Sequence, residues 1–333
     1  MICPECGYLI DALDQDCPRC KNLSRALAPK LSPGSATEEL GSQATPSTSR
    51  SSETKSRITH RSRIRLAVSA GVLALIGIVV FHLVFNSRES AAFAPLREEY
   101  GIDVCFIVSF GFFPTEWRQP PINARATPIS RSELQRFPTL LRLSLAKYPK
   151  VVISKHLTAI CLAKEMYFYD TPYGGTNSGD VVYLCSEGEE QGYTDDYLIN
   201  SFHHEFSSIL MRSHPFPSRQ WRACNAPGFK YTGSDPDSAG RTAITQNKAD
   251  LAGSEELYRA GFLSQYSTAD IEEDFNMFSG LLLSRPRETR TLIQQYPRLK
   301  KKYEVWLAFY RSINNQMTET FLLQKPVARE QHL

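Results

Sequence analysis

The chain has 333 residues, of which 42% are hydrophobic and 22% charged, and its formal net charge is +3. That length accommodates about two domains with a core of ordinary size, and the mixed composition excludes a chain that is disordered throughout. Residues 1–65 hold ten Lys/Arg against seven Asp/Glu, which leaves 28 of each sign beyond them; no basic face is dense enough to neutralise several phosphates, so no nucleic-acid partner is expected.

The first predicted element spans residues 1–24. Cys3, Cys6, Cys17 and Cys20 form two CxxC pairs, CPEC and CPRC, ten residues apart. Four thiolates in two such knuckles suit a closed tetrahedral zinc site, and so short a segment draws its folding energy from the metal. A structural zinc ribbon is expected. Its opening, Met1-Ile2-Cys3-Pro4-Glu5-Cys6-Gly7, resembles ribbons at the N-terminus of many bacterial membrane proteins, which implies a structural or interaction module able to meet a cytoplasmic protein partner.

Residues 25–64 are rich in Ser, Thr, Pro and Gly without a hydrophobic period, the pattern of a flexible linker. A single transmembrane helix is predicted over residues 65–86. Its centre, Leu66 to Phe85, reads LAVSAGVLALIGIVVFHLVF, with no Asp, Glu, Lys or Arg and enough length to cross about 30 Å of hydrocarbon. More than sixty residues precede it, which argues against a cleaved signal peptide. Lys55, Arg57, Arg61, Arg63 and Arg65 crowd its N-terminal side and Arg88 stands alone on the other. The positive-inside rule then makes the N-terminus cytoplasmic and residues 87–333 periplasmic or extracellular, with the lipid bilayer as a partner. On that topology the ribbon thiolates lie in a reducing compartment, whereas Cys105, Cys161, Cys185 and Cys224 lie where disulfides are permitted, their three connectivities open.

The outer domain reads as α+β. Val104 to Phe110 is strand-like, Ser130 to Lys147 has helical spacing, Lys150 to Leu157 and Ala159 to Tyr169 are β-rich, and Thr171 to Gly179 is turn chemistry leading into a strand over Asp180 to Cys185. Helical periods follow over Tyr197 to Arg212, Ile271 to Leu283, Glu288 to Gln295 and Pro297 to Ile313. The run Lys300-Lys301-Lys302 is read as a solvated face.

Chemistry concentrates in Phe202-His203-His204-Glu205-Phe206-Ser207-Ser208-Ile209-Leu210. Leu198, Phe202, Phe206, Ile209 and Leu210 make one apolar stripe of a helix, and His204 and position 208, about 40° apart, share a face one turn from each other. Two imidazoles at that spacing grip one ion in the zinc-hydrolase motif HExxH, while the intervening Glu acts as general base toward a zinc-bound water. Here Ser208 stands where the second imidazole belongs. His203 is rotated about 100° away and is the residue expected to anchor the helix by a hydrogen bond. His214, ten residues beyond His204, has the offset of a third ligand in the longer pattern HExxHxxGxxH, but Met211 replaces its glycine and Pro215 follows.

The order of features resembles the zincin metallopeptidases, in particular a group of bacterial zinc-binding metallopeptidases built around HEFxH-type helices. Gly174 to Cys185 is similar to the edge strand of a zincin cleft. Phe216-Pro217-Ser218 and Pro227 to Gly233 resemble the loop after the helix; Ala260 to Ser267 and Glu272-Glu273-Asp274-Phe275 resemble the group's GFVSxY segment and the helix that carries its glutamate ligand. The resemblance implies a zincin-like domain over residues 87–333 that hydrolyses polypeptides, with His204 as first zinc ligand, Glu205 as general base and Glu273 as downstream carboxylate ligand. Ser208, His203, His214 and Asp274 are further ligand candidates, and Met277 stands where the group often has an acid. The alternative is a zincin scaffold whose catalysis has lapsed at Ser208 and which binds or senses envelope material.

Overall fold

The computed structural model describes residues 89–233, 239–246 and 250–324. The expected ribbon (1–24), linker (25–64) and membrane helix (65–86) lie outside the described residues; no helix among the described residues is long and apolar enough to cross a membrane. The domain that follows belongs to the compact unit Glu89–Leu333.

Its strands are β1 (Asp103–Cys105), β2 (Arg125–Thr127), β3 (Ala159–Ala163), β4 (Glu165–Phe168), β5 (Thr171–Tyr173), β6 (Gly175–Ser178) and β7 (Val181–Cys185). Helices precede β3 as α1 (Ala94–Tyr100), α2 (Arg131–Leu134), α3 (Phe137–Leu145) and α4 (Lys150–His156), and follow β7 as α5 (Asp195–Ser213), α6 (Ser218–Ala223), α7 (Ala239–Thr245), α8 (Glu255–Ala260), α9 (Ile271–Ser284), α10 (Pro286–Gln295), α11 (Pro297–Ile313) and α12 (Glu319–Leu323). The mixed α+β class read from the sequence is the class observed.

The larger sheet has the order β1-β3-β7-β6, with β1, β3 and β7 parallel and β6 antiparallel at the edge. Side chains alternate along its strands. Ile160, Leu162, Val182 and Leu184 enter a large core shared with Phe202, Phe206, Trp221, Phe275 and Trp306 from the helices. Cys161, Ala163, Tyr183 and Cys185 face the other way, into a smaller core with Phe112, Phe113 and Phe168. A second sheet, β2-β4-β5, is antiparallel throughout.

Several boundaries differ from expectation for local reasons. Lys150 to Leu157 is helical as α4, because Pro149 caps a segment whose Val152, Ile153 and His156 bury one helical side; its β-branched residues had favoured a strand. The Ser130 to Lys147 helix breaks into α2 and α3, with Pro138 in the first turn of α3. Only the start of Val104 to Phe110 pairs, as β1, and Phe110 is 82% exposed. Thr171 to Gly179 contains β5 and β6 in addition to turns. Lys302 is wholly buried, so only Lys300 and Lys301 of that run face solvent.

Two helices carry the site. α5 begins at Thr194, whose hydroxyl accepts from the Tyr197 backbone N–H, and Asp195 and Asp196 complement its N-terminal dipole. It ends where Pro215 holds His214 in extended conformation. α9 begins at Asp270, whose carboxylate accepts from the Glu273 N–H at 2.7 Å, and its first turn holds Glu272, Glu273 and Asp274. The two helices pack against each other, and β6 lies along α5.

Candidate functional site

The stripe Leu198, Phe202, Phe206, Ile209 and Leu210 of α5 is buried in the large core. The opposite side is not open water either. Glu205, Ser207 and Ser208 are buried as well, because β6 and α9 cover that face.

His204 and Glu273 converge there, with imidazole Nε2 3.0 Å from carboxylate Oε2 and side chains 12% and 16% exposed. Glu273 Oε1 accepts from the Tyr266 hydroxyl at 2.7 Å, and the Tyr266 ring stacks on His204. Burial by itself pushes His204 down, but the hydrogen bond and charge of Glu273 carry it up to about 9. Gly240 of α7 lies against the pair: a Cβ there would collide with Glu273 Oε1 and come within 2.8 Å of the Tyr266 oxygen.

Glu205 is clamped from β6. Its Oε2 accepts from Asn177 Nδ2 at 2.6 Å, and a Cβ on Gly175 would stand 3.0 Å from its Oε1, so that a bare backbone is needed beside this carboxylate. Burial raises Glu205 to about 7, against the opposing pull of His204 and Asn177. A carboxylate poised there can take and return a proton at neutral pH.

Position 208 has a different occupation. Ser208 Oγ bonds to Glu272 Oε1 and accepts from Arg212 Nη1 at 2.5 Å, while Arg212 also donates to Glu272 at 3.2 Å and to Asn177 Oδ1. Arg212 therefore fixes the amide orientation of Asn177, whose nitrogen holds Glu205. A fixed guanidinium stands one turn beyond the place of the second histidine.

The remaining candidates are drawn elsewhere. His203 is fully buried with Nδ1 2.9 Å from the Tyr148 hydroxyl. His214 leaves the helix and pairs with His156, Nε2 to Nε2, at 3.1 Å. Asp274, one residue from Glu273 and so about 100° around the helix, is sealed in a cluster: its Oδ2 accepts from Lys302 Nζ at 2.5 Å, Tyr231 at 2.7 Å and Trp221 Nε1 at 2.8 Å. Met277 is buried in the interior. Sequence reasoning missed Asn177, Tyr266, Arg212 and Glu272 as members of the site. Arg212 was detectable, since it lies at the i+8 position from His204 on the same helical face.

The donors bear directly on zinc. Glu273 Oε2 is buried and has no partner apart from His204 Nε2 at 3.0 Å. Two donors at about 2.0–2.2 Å from one tetrahedral ion stand about 3.3–3.6 Å apart, so this pair fits a shared cation after a small adjustment. Binding would displace the proton that the pair otherwise holds. Ser208 does not supply a third strong donor, and no cluster of three or more His, Cys, Asp or Glu among the described residues is placed to hold an ion.

Comparison with known proteins bears on the same segment. Residues 181–325, which include α5 and α9, match the model of a family described as "Putative zinc-binding metallo-peptidase". A crystal structure of a protein described in the same words, from Bacteroides caccae, is similar at 18% identity and a TM-score of 0.46 over 71% of this chain and 90% of that one. No curated protein matches. Residues 181–325 are thus similar to the family so described.

Proposed function

We propose that the domain is a membrane-anchored, zinc-dependent peptidase in which His204 and Glu273 hold the metal and Glu205 is the general base. The observation that carries this reading is the meeting of His204 with a buried oxygen of Glu273 that has no other partner, beside Glu205. Zinc bound there would supply a Lewis acid for a water molecule and for a peptide carbonyl. Asn177 holds one oxygen of Glu205, which leaves Oε1 as the atom that accepts a proton from water and returns it to the departing nitrogen. Tyr266 holds Glu273 Oε1 and thereby orients its other oxygen toward His204. β6 is the edge strand of its sheet, and an extended polypeptide can lie along such an edge. In the same reading the 65–86 segment spans the bilayer with this domain outside, and the ribbon of residues 1–24 holds a structural zinc and meets a cytoplasmic partner.

One observation favours a second reading, a scaffold that binds polypeptide without cleaving it. Ser208 is a weak donor already engaged by Glu272 and Arg212, and catalytic zinc usually has three protein ligands. Metal analysis of the purified full chain, together with hydrolysis of an unstructured polypeptide, separates the two. A peptidase holds one zinc beyond that of the ribbon, and Glu205→Gln lowers its rate by about 10²–10⁴-fold. An inactive wild-type chain whose only zinc is released by replacing the ribbon cysteines has lapsed.

A further inference from the structure

The four cysteines of the outer domain are not equally placed. β1 and β3 are neighbouring parallel strands in which Cys105 stands directly opposite Cys161. In-register residues on adjacent strands lie about 4.7–4.9 Å apart, inside the Cα separation of about 4.4–6.8 Å that a disulfide spans. The period of two confirms that both side chains share a face: Cys161 enters the smaller core, while Val104 and Ile160, the next register pair, pack on the larger one. Cys185 is in register with Ala163, beyond the Cys161–Tyr183 pair. Cys224 ends α6, where its thiol donates to the Gln220 carbonyl at 3.3 Å.

From this placement we infer that Cys105 and Cys161 form a reversible disulfide that staples the edge strand β1 to β3, and that Cys185 and Cys224 remain thiols. Cys105 is exposed and Cys161 is buried, which divides the work between them. The Cys105 thiolate attacks a small or protein disulfide, forms a mixed disulfide and releases one thiol; the Cys161 thiolate then attacks the Cys105 sulfur and releases the second. Two electrons pass from the cysteines to the donor disulfide, and the two cysteine protons end on the two thiols released. The hydrogen bond from Cys161 lowers the Cys105 thiol to about 7, which favours Cys105 as the attacking group.

The test is peptide mapping of the purified full chain after equilibration across a range of oxidised-to-reduced glutathione ratios, with acid quenching and alkylation of the thiols that remain. A peptide linking Cys105 to Cys161 is expected in oxidising mixtures and lost in reducing ones, with Cys185 and Cys224 alkylated at every ratio. The double variant Cys185→Ser/Cys224→Ser should keep the linked peptide, and Cys105→Ser should leave no linkage to Cys161. Alkylation of Cys105 and Cys161 at all ratios, or linkage of either to Cys185 or Cys224, overturns the assignment. None of these readouts depends on zinc or on hydrolysis.

Discussion

Glu273 and Asp274 are adjacent in the first turn of α9, yet one meets His204 and the other meets Lys302. Asp274 is 1% exposed, and its accepting oxygen takes hydrogen bonds from a lysine, a tyrosine and a tryptophan. Burial pushes Asp274 up and Lys302 down, and their contact opposes burial in both. The Lys302 ammonium also lies over the rings of Phe262 and Trp221. Glu273 gives one buried oxygen to His204 alone. A carboxylate with a complete set of donors serves the fold, whereas one left incomplete in a protein interior is available to a ligand.

This contrast can be broken by exchanging the behaviour of the two acids. The largest effect is expected for Lys302→Met, which strands a buried Asp274 and should destabilise the domain by about 3–5 kcal/mol, read by denaturant unfolding. Glu273→Gln removes the charge that raises His204 and should destabilise the metal-free domain, but by less than Lys302→Met, while weakening zinc binding at least about a hundredfold; unchanged zinc affinity would refute the division. Ser208→His, combined with Arg212→Ala to clear the guanidinium, should strengthen zinc binding about tenfold or more by supplying the third donor. No gain in a titration with metal would place the ion away from this face.

The smallest effect sharpens the comparison with a third buried cluster. Burial, with smaller contributions from His214 and Lys155, lowers His156 from 6.5 to about 4. The unfolded chain therefore binds more protons than the folded one between those values, and stability should decline as the pH is lowered from 6.5 toward 4. A thermal-unfolding series should show that slope, and His156→Asn should flatten it.

How much of this was legible in the sequence varies with the range of the interactions. The helical period located α5, α9 and α11 because each turns one apolar stripe to the core. It failed at α4, where Val151, Val152 and Ile153 read as a strand until Pro149 and the buried His156 show the helical side. The pairing of His204 with a downstream acid was anticipated by resemblance, but nothing local distinguishes Glu273 from Asp274. Only the packing of α9 between α5 and the Lys302 side chain of α11 does so. The Arg212, Glu272 and Asn177 network joins a strand to two helices, and beyond the helical position of Arg212 it has no local signature.

Gly240 has a consequence for how Glu273 is held. The main chain of α7 is pressed against Glu273 and Tyr266, and the acid itself is only 16% exposed, so that backbone leaves the carboxylate little room to swing on its side. A methyl group at that single position would press on the Glu273 carboxylate and the Tyr266 hydroxyl, and so would disturb the oxygen aimed at His204.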